Sequence, residues 1–204
     1  MKQLFVYLRQ YMRLSMAPLL GLGLLAGCFG NAPQAVITPE IQLDQFSSLR
    51  LDARKLQIVD NWQMPIQPPY VEHTLNPTPA SLIVDWASRT LVPVSGSGEL
   101  VVDIKRASVM VTELPKSKKL LDVFQDQQER KIRVDIEADL MWIQPVGNRQ
   151  ALIKLQSSAS TTVEESATPN SFDAAMKTAV NDAIEALDAQ ARQKISTVDG
   201  LSSQ

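Results

Sequence analysis

Apolar and polar residues alternate with a period of two along a long segment in the second half of the chain. The apolar positions are all even-numbered: Ile132, Val134, Ile136, Ala138, Leu140 and Trp142. The odd-numbered positions between them are charged: Arg133, Asp135, Glu137 and Asp139. This pattern predicts a strand with one buried and one wet face, as antiparallel sheets permit. The turn sequence 145–149 and renewed alternation over 151–163 then predict a β-hairpin.

Two earlier segments have the same period but change phase along their length. The alternation over 49–58 slips by one residue, which predicts a first strand with a bulge. The segment 99–111 alternates up to Ile104 and resumes in a shifted phase after Arg106, so it predicts the second strand. The proline-rich segment 64–73 predicts an extended loop, because proline cannot donate to a strand ladder.

Helical periodicity appears twice. The first helix begins at Thr78-Pro79, a hydroxyl N-cap followed by proline at the first helical position, and ends before Pro93. Its apolar face comprises Leu82, Ile83, Trp86, Ala87 and Thr90. The last helix is predicted to start from a cap at Asn170 or Ser171, with Asp173 in its first turn. Its apolar stripe, wide enough to dock on a sheet, comprises Phe172, Met176, Ala179, Val180, Ala183, Ile184, Leu187 and Ala191.

The order of these elements is strand, helix, strand, hairpin, helix. It predicts an α+β fold: a two-layer sandwich of a mostly antiparallel sheet of about four strands, with two amphipathic helices on one face. We expect one domain over 49–197, preceded by a flexible tether over 28–48 and followed by a disordered tail over 198–204. The segment 115–126 is predicted to be a loop with one helical turn around 120–124.

The N-terminal residues 1–27 have the layout of a secretory signal peptide. The charged residues before the apolar run over 14–25 are all basic: Lys2, Arg9 and Arg13. This run is shorter than the roughly 20 residues that a spanning helix needs. Small residues Ala26 and Gly27 then precede Cys28, the only cysteine in the chain. The alternative is a true N-terminal membrane anchor in which the cysteine is incidental.

The sequence Leu25-Ala26-Gly27-Cys28 resembles the lipobox of bacterial lipoproteins. The resemblance implies signal cleavage between Gly27 and Cys28, diacylation of the Cys28 thiol and acylation of the new amino terminus. Phe29, rather than an aspartate, follows the cysteine. This resembles Gram-negative lipoproteins that are exported to the outer membrane, with the domain facing the periplasm; retention at the inner membrane is the alternative.

Composition excludes several classes of partner. The mature chain, 28–204, has 17 basic and 22 acidic residues, a net charge of −5. A mildly acidic domain is a poor nucleic-acid binder, and the one basic cluster, over 116–119, is explained by a solvated loop. With Cys28 carrying lipid, the chain has no cysteine left for a disulfide or a metal site.

The residues that could carry chemistry all have simpler structural explanations. His73, the only histidine, follows Glu72 and could act as a base, but a loop contact is the simpler role. The carboxylates among 133–139 could do acid–base work or bind calcium, yet alternating charge is also what a solvated strand face shows. Ser95-Gly96-Ser97-Gly98 lacks the lysine of a phosphate loop and leads into a strand. The sequence therefore predicts no catalytic residue, cofactor or metal.

One segment has the composition of a protein-binding surface. It contains Trp62, Met64, Pro68, Pro69 and Tyr70. If exposed, such an aromatic and proline-rich surface would suit a protein or peptide partner. Packing of the same side chains into the core is the alternative.

The layout of the chain also resembles the PqiC-type auxiliary lipoproteins of MCE lipid-transport systems and a set of uncharacterised proteobacterial lipoproteins. The resemblance to the PqiC-type proteins is carried by the lipobox, the size of the domain and the order of its strands and helices. The resemblance to the uncharacterised lipoproteins is carried by Pro69-Tyr70-Val71-Glu72-His73, Trp86-Ala87 and 126–130, before the long strand. The two resemblances imply a non-enzymatic, lipid-anchored accessory component of an envelope transport or assembly complex. The alternatives are a periplasmic module that binds lipid or peptidoglycan and, third, a hydrolase that uses His73.

Overall fold

The computed structural model describes residues 43–115 and 129–202, which form an α+β fold with a four-stranded sheet. Within these residues the elements, in chain order, are β1 Leu49–Leu51, β2 Lys55–Asp60, α1 Pro79–Thr90, β3 Leu91–Pro93, β4 Glu99–Glu113, β5 Glu129–Gln144, β6 Arg149–Glu164 and α2 Pro169–Ser196. Short 3-10 turns lie at Leu43–Gln45 and Glu72–Thr74. The predicted fold class is confirmed.

The main sheet has the strand order β2-β4-β5-β6. β2 pairs with β4 in parallel, whereas β4, β5 and β6 are antiparallel. The register of β4 on β5 shifts between Ile104 and Arg106, where the alternation in sequence changes phase. β5 and β6 pair along their full length without a shift, so the predicted hairpin is confirmed.

Both helices pack on one face of this sheet. Apolar side chains alternate along β4, β5 and β6. They form one hydrophobic core with the apolar faces of α1 and α2. The indole of Trp86 in α1 is fully buried, and its Nε1 donates to Asp188 Oδ1 in α2 over 3.0 Å. The helices therefore lie side by side, and the opposite sheet face carries the charged side chains of β5.

The predicted first strand over 49–58 is wrong, because its two halves belong to different sheets. β1 pairs in parallel with β3, through Leu49 with Leu91 and Leu51 with Pro93. The chain turns after β1, where Ala53 N–H donates to Leu51 C=O over 2.8 Å, and then enters the main sheet as β2. β3 itself was not predicted, because a proline close to two glycines is typical of a loop.

Both helices are capped by a threonine hydroxyl that precedes a proline. Thr78 Oγ1 accepts a hydrogen bond from the Ser81 N–H over 3.3 Å, as predicted. The predicted cap of α2 at Asn170 or Ser171 is wrong. The cap is Thr168, whose Oγ1 accepts from the Ser171 N–H over 3.2 Å, with proline again at the first helical position. Asp173 accordingly lies beyond the first turn.

Both ends of the described chain are attached to the domain, contrary to two expectations. The predicted tether is too long, since Leu43 is buried and Gln45 Nε2 donates to Glu185 Oε1 in α2 over 3.1 Å. The predicted disordered tail is wrong as far as residue 202. Leu201 is fully buried, its C=O accepts from the Asp52 N–H over 2.8 Å, and Ser202 bridges to β1.

Several expectations fall outside the described residues. They are the signal peptide 1–27, the tether over 28–42, the basic cluster 116–119, the helical turn 120–124 and residues 203–204. Among the helices the structure describes, none is both long enough and apolar enough to cross a membrane.

Candidate functional site

The lipid-attachment residue Cys28 and the cleavage position Gly27 lie outside the described residues, so the site that can be built from the structure is the candidate partner surface. We call residues 61–77 the proline loop. It leaves β2 at Asn61, whose N–H donates to Ile104 C=O of β4 over 3.1 Å. It then follows the same edge of β4 beyond the end of β2.

Backbone hydrogen bonds hold the middle of the proline loop against β4. The Val71 N–H donates to Val109 C=O, and the Val111 N–H donates to Pro69 C=O, both over 2.9 Å. Tyr70 forms a β-bridge with Met110 between these bonds. The loop thus covers the part of the β4 edge that β2 leaves open, and its backbone is ordered by the sheet.

A buried carboxylate adds to this attachment. Glu72 is 1% exposed, and its Oε2 accepts from the Val109 N–H over 3.2 Å. Its Oε1 is buried without a hydrogen-bond partner among the described residues. His73, the next residue, is exposed. Glu72 and His73, which the sequence suggested as a carboxylate and a base acting together, therefore lie apart, one in the protein interior and the other on the surface.

The five residues of the predicted partner surface do not form one patch. Trp62 is partly buried and packs against the core, while Met64 and Tyr70 are partly buried. Pro68 and Pro69 are exposed. Asn61, which precedes Trp62, bonds to Ile104, whereas Tyr70 bridges to Met110. These two positions of β4 are about 20 Å apart, since a strand rises about 3.3 Å per residue.

The exposed part of the proline loop includes a residue that sequence reasoning missed. Ile66 is 79% exposed, more than any other large apolar side chain that the structure describes. It lies in the sequence Pro65-Ile66-Gln67-Pro68, where no alternation assigns it to a buried face. Ile66, Pro68 and Pro69 together form what we call the loop surface.

Two carboxylates on the outer face of β5, Asp135 and Glu137, form ion pairs with arginines. Arg133 donates to both oxygens of the neighbouring Asp135 over 2.8 to 3.0 Å, and this ion pair raises the pKa of the guanidinium. Glu137 pairs with Arg106 of β4 over 3.1 Å. Within the described residues, no group of three or more His, Cys, Asp or Glu side chains could hold a metal ion.

The outer face also contains a paired aspartate on β4. Asp103 accepts from Lys105 Nζ and, over 2.8 Å, from Asn61 Nδ2. The hydrogen bond from Lys105 is the main cause that lowers the pKa of Asp103, and the same bond raises the pKa of Lys105. The Asp103 carboxylate is thus stabilised as an anion by Lys105 and Asn61.

The same sheet face has shallow depressions that differ in polarity. A polar one of about 250 Å³ is lined mainly by charged and hydroxyl side chains, including Arg106, Arg133 and Ser158. An apolar one of about 400 Å³ lies near the hairpin turn and is lined by Met141, Ile143, Gln150, Ala151 and Leu152. Three of its lining residues, Met141, Ile143 and Leu152, are 41% to 56% exposed.

The glycine-rich segment 95–98 is structural. Gly96 has a φ of +85°, and Ser97 Oγ donates to Gln144 Oε1 over 2.6 Å. Gln144 Nε2 in turn donates to Asp52 Oδ2 over 2.9 Å. The segment therefore joins the turn after β1 to the end of β5.

Comparison with known proteins gives distant likenesses. No family model and no curated protein matches the sequence. The chain is similar to rare lipoprotein B from Shewanella oneidensis, at 13% identity over 70% of this chain and 95% of the other, with a TM-score of 0.39. It is also similar to a DUF330 protein from Xanthomonas campestris, at 12% identity over 77% and 94%, with a TM-score of 0.30.

A third solved structure is a neuraminyllactose-binding hemagglutinin homolog from Helicobacter pylori, at 11% identity over 79% of this chain and 92% of the other. Its TM-score is 0.35. With identities and scores this low, the three likenesses carry no inference about function. The fold is established by the elements of this chain itself.

Proposed function

We propose that this chain is a lipid-anchored protein of the bacterial envelope that works by binding, as an accessory component of a transport or assembly complex, and performs no chemistry of its own. The observation that carries the proposal is the N-terminal sequence, a basic start and a short apolar run that ends in Leu25-Ala26-Gly27-Cys28. Its resemblance to a lipobox, with Phe29 after the cysteine, favours the outer membrane.

Acylation of Cys28 would fix the protein to a membrane. One fatty acyl chain gives only marginal binding, since each buried methylene contributes about 0.8 kcal/mol, whereas two or more chains hold a protein stably. The mature domain would then search for its partner in two dimensions at one membrane surface. In this proposal the anchor is part of the function.

The loop surface supports a binding role. Ile66, Pro68 and Pro69 are exposed apolar residues on a loop that the β4 edge and the buried Glu72 already order. A partner that docks there would immobilise little additional backbone, and preordered contacts bind at a lower entropy cost. The structure thus favours a preformed apolar protrusion over a broad face made by all five predicted residues.

The anchor is tested by metabolic labelling of cells with a fatty acid. We expect the full-length protein to take up the label at Cys28 and to fractionate with the outer membrane. Cys28→Ser is the matched variant, because it removes the only thiol and changes one atom. Loss of label and retention of the signal peptide in this variant are expected; an unlabelled wild type would contradict the anchor.

The docking role is tested by a photo-crosslinking amino acid at Ile66. Its matched control is the same amino acid at Val146, which is 71% exposed on the hairpin turn. We expect Ile66 to crosslink, in intact envelopes, to a component of a transport or assembly complex that Val146 does not capture. Equal crosslinking patterns at the two positions would contradict a role for the loop surface.

The apolar depression near the hairpin turn favours a second candidate function, a periplasmic lipid-binding module. Leu152 at 56% exposure lines this depression on β6. If lipid binds there, mass spectrometry of the purified protein should detect lipid with wild type and with Val146→Asn, and about tenfold less with Leu152→Asn, a loss equivalent to about 1.4 kcal/mol. Absence of lipid from the wild type would exclude this candidate.

A further inference from the structure

β6, a strand of 16 residues, is one of the two edge strands of the main sheet, and β2, with six residues, is the other. The inner edge of β6 is paired with β5 throughout, while its outer edge faces no strand in the part of the chain that the structure describes. A sheet edge presents a row of backbone N–H and C=O groups that can template the addition of another strand. Which of these groups are satisfied decides where a strand could add.

Side chains of α2 occupy one part of the outer edge. Gln190 Oε1 accepts from the Gln156 N–H over 2.7 Å, and Lys194 Nζ donates to Lys154 C=O over 2.5 Å. The backbone groups of even-numbered residues therefore point away from β5 at this place. Because β5 and β6 pair without a register shift, the even-numbered residues further along β6 point the same way.

Three consecutive even-numbered residues of the outer edge are left without such partners: Ser158, Ser160 and Thr162. No hydrogen bond to their backbone N–H or C=O groups on this edge is present among residues 43–115 and 129–202. All three residues are exposed. They form an open stretch of the strand, centred on Ser160.

The sequence around this stretch lacks the devices that normally protect an edge. Natural proteins block edge pairing with charges, prolines, bulges or a covering segment. Residues 155–163 contain no charged residue, proline or glycine, and β6 has no bulge. By contrast, the proline loop covers the edge of β4 where β2 ends. Among the residues that the structure describes, this stretch of the β6 edge therefore has neither a covering segment nor a blocking side chain.

We propose that β6 pairs edge to edge with β6 of a second copy of this chain, antiparallel, about a two-fold axis at Ser160. In this register Ser160 lies opposite Ser160 of the second copy, and Ser158 lies opposite Thr162 in both directions. The open backbone groups of both copies are then paired, while the hydrogen bond that Gln190 accepts from Gln156 and the one that Lys194 donates to Lys154 stay in place. The main sheets of the two copies become one eight-stranded sheet.

The side chains on this stretch fit a second copy. A two-fold interface requires a surface that is complementary to itself, and the outer-face residues of the stretch are all small hydroxyl side chains. At the end of β6, Glu164 would face Gln156 of the second copy, so like charges are not opposed within the paired strands. The commitment to a second copy follows from this neutral, self-matching sequence.

The register is tested by a cysteine on the proposed axis. In Ser160→Cys the two Cα atoms would lie about 5.5 Å apart, within the range that a disulfide spans. In Ser158→Cys, an equally exposed position two residues away, the two cysteines would lie more than about 13 Å apart along the strands. Mild oxidation of intact envelopes should therefore crosslink most of the full-length Ser160→Cys protein at twice the monomer mass.

The controls are Ser158→Cys and the wild type, in which Cys28 is the only cysteine. We expect both to crosslink only at background level. Equal crosslinking of Ser158→Cys and Ser160→Cys, or none with either, would overturn the proposal.

The pairing is tested separately by proline. Since the Ser160 N–H points away from β5, Ser160→Pro should leave the β5–β6 ladder intact but remove a donor on the two-fold axis. We expect the wild type and Ser160→Ala to sediment as dimers in mild detergent, and Ser160→Pro to sediment as a monomer with unchanged circular dichroism. A monomeric wild type, or a dimeric Ser160→Pro, would overturn the proposal.

Discussion

At the scale of single residues, a few polar side chains in the interior connect elements that are far apart in sequence. Asp188 of α2 is 7% exposed and accepts from the indole of Trp86 in α1. It also accepts from Arg192 one turn later, over 2.6 and 3.1 Å. Arg192 in turn donates to the C=O of Ser47 before β1. One carboxylate thus fixes two helices and the start of the domain.

We expect Asp188→Ala to lower the free energy of unfolding by about 2–4 kcal/mol, because it leaves a buried indole N–H and a partly buried guanidinium without their acceptor. Urea unfolding measures this loss. Asp173→Ala is the matched control on the same helix, since it breaks an i,i+4 pair with Lys177 that is worth about 0.5 kcal/mol. Similar losses for both variants would show that Asp188 acts as an ordinary surface charge.

Gly96 and Gly147 both have a positive φ, but only at Gly96 would an added Cβ also meet a close neighbour. Gly96 has φ +85° and Gly147 has φ +89°. A Cβ on Gly96 would overlap the Asp52 carboxylate, whereas on Gly147 the nearest atom, Arg149 Nε, would be 3.8 Å away. We expect Gly147→Ala to cost about 1–2 kcal/mol from the left-handed backbone alone. Gly96→Ala should cost about 1–3 kcal/mol more in the same unfolding measurement, and equal costs would contradict the overlap.

At the scale of elements, patterns in the sequence predicted the type of most segments and the pairing of β5 with β6 across a short turn, but not the pairing of segments that lie far apart in the chain. Strict alternation identified β5 and β6, and Thr78-Pro79 identified the start of α1, because burial and capping are local. The split between β1 and β2 was not predictable, since it depends on Leu91–Pro93 and residue 202, which lie far along the chain. Of the loop surface, the composition of the sequence predicted Pro68 and Pro69, whereas only the structure shows that Ile66 is exposed beside them.

The attachment of the proline loop to β4 gives a prediction at this scale. Removing the Glu72 carboxylate should loosen the loop, because the Val109 N–H loses its acceptor. In Glu72→Ala we expect the amides of Val71, Val109 and Val111 to exchange with solvent at least about tenfold faster, equivalent to 1.4 kcal/mol of local stability. Glu72→Gln keeps a side-chain acceptor, so the same amides should exchange at nearly the wild-type rate. Unchanged exchange in Glu72→Ala would mean that the backbone bonds alone hold the loop.

At the scale of the whole molecule, the two ends of the described chain close the fold around β1. Ser202 bridges to Leu51, and Leu43 is buried close to the start of the domain. The sequence predicted disorder for 198–204, because a short polar tail after a helix has no periodicity to reveal one buried leucine. The N-terminal and C-terminal ends of the described domain thus both contribute to its stability.

The last prediction follows from this closure. Leu201 is fully buried and lies within a segment that contacts β1 through backbone hydrogen bonds. Leu201→Ala should lower the free energy of unfolding by about 2–4 kcal/mol, the usual cost of such a truncation in a core. Asp199→Ala, exposed two residues earlier, should change it by less than about 0.5 kcal/mol. If Leu201→Ala were equally neutral, the tail would be dispensable and the domain would end with α2, as the sequence alone predicted.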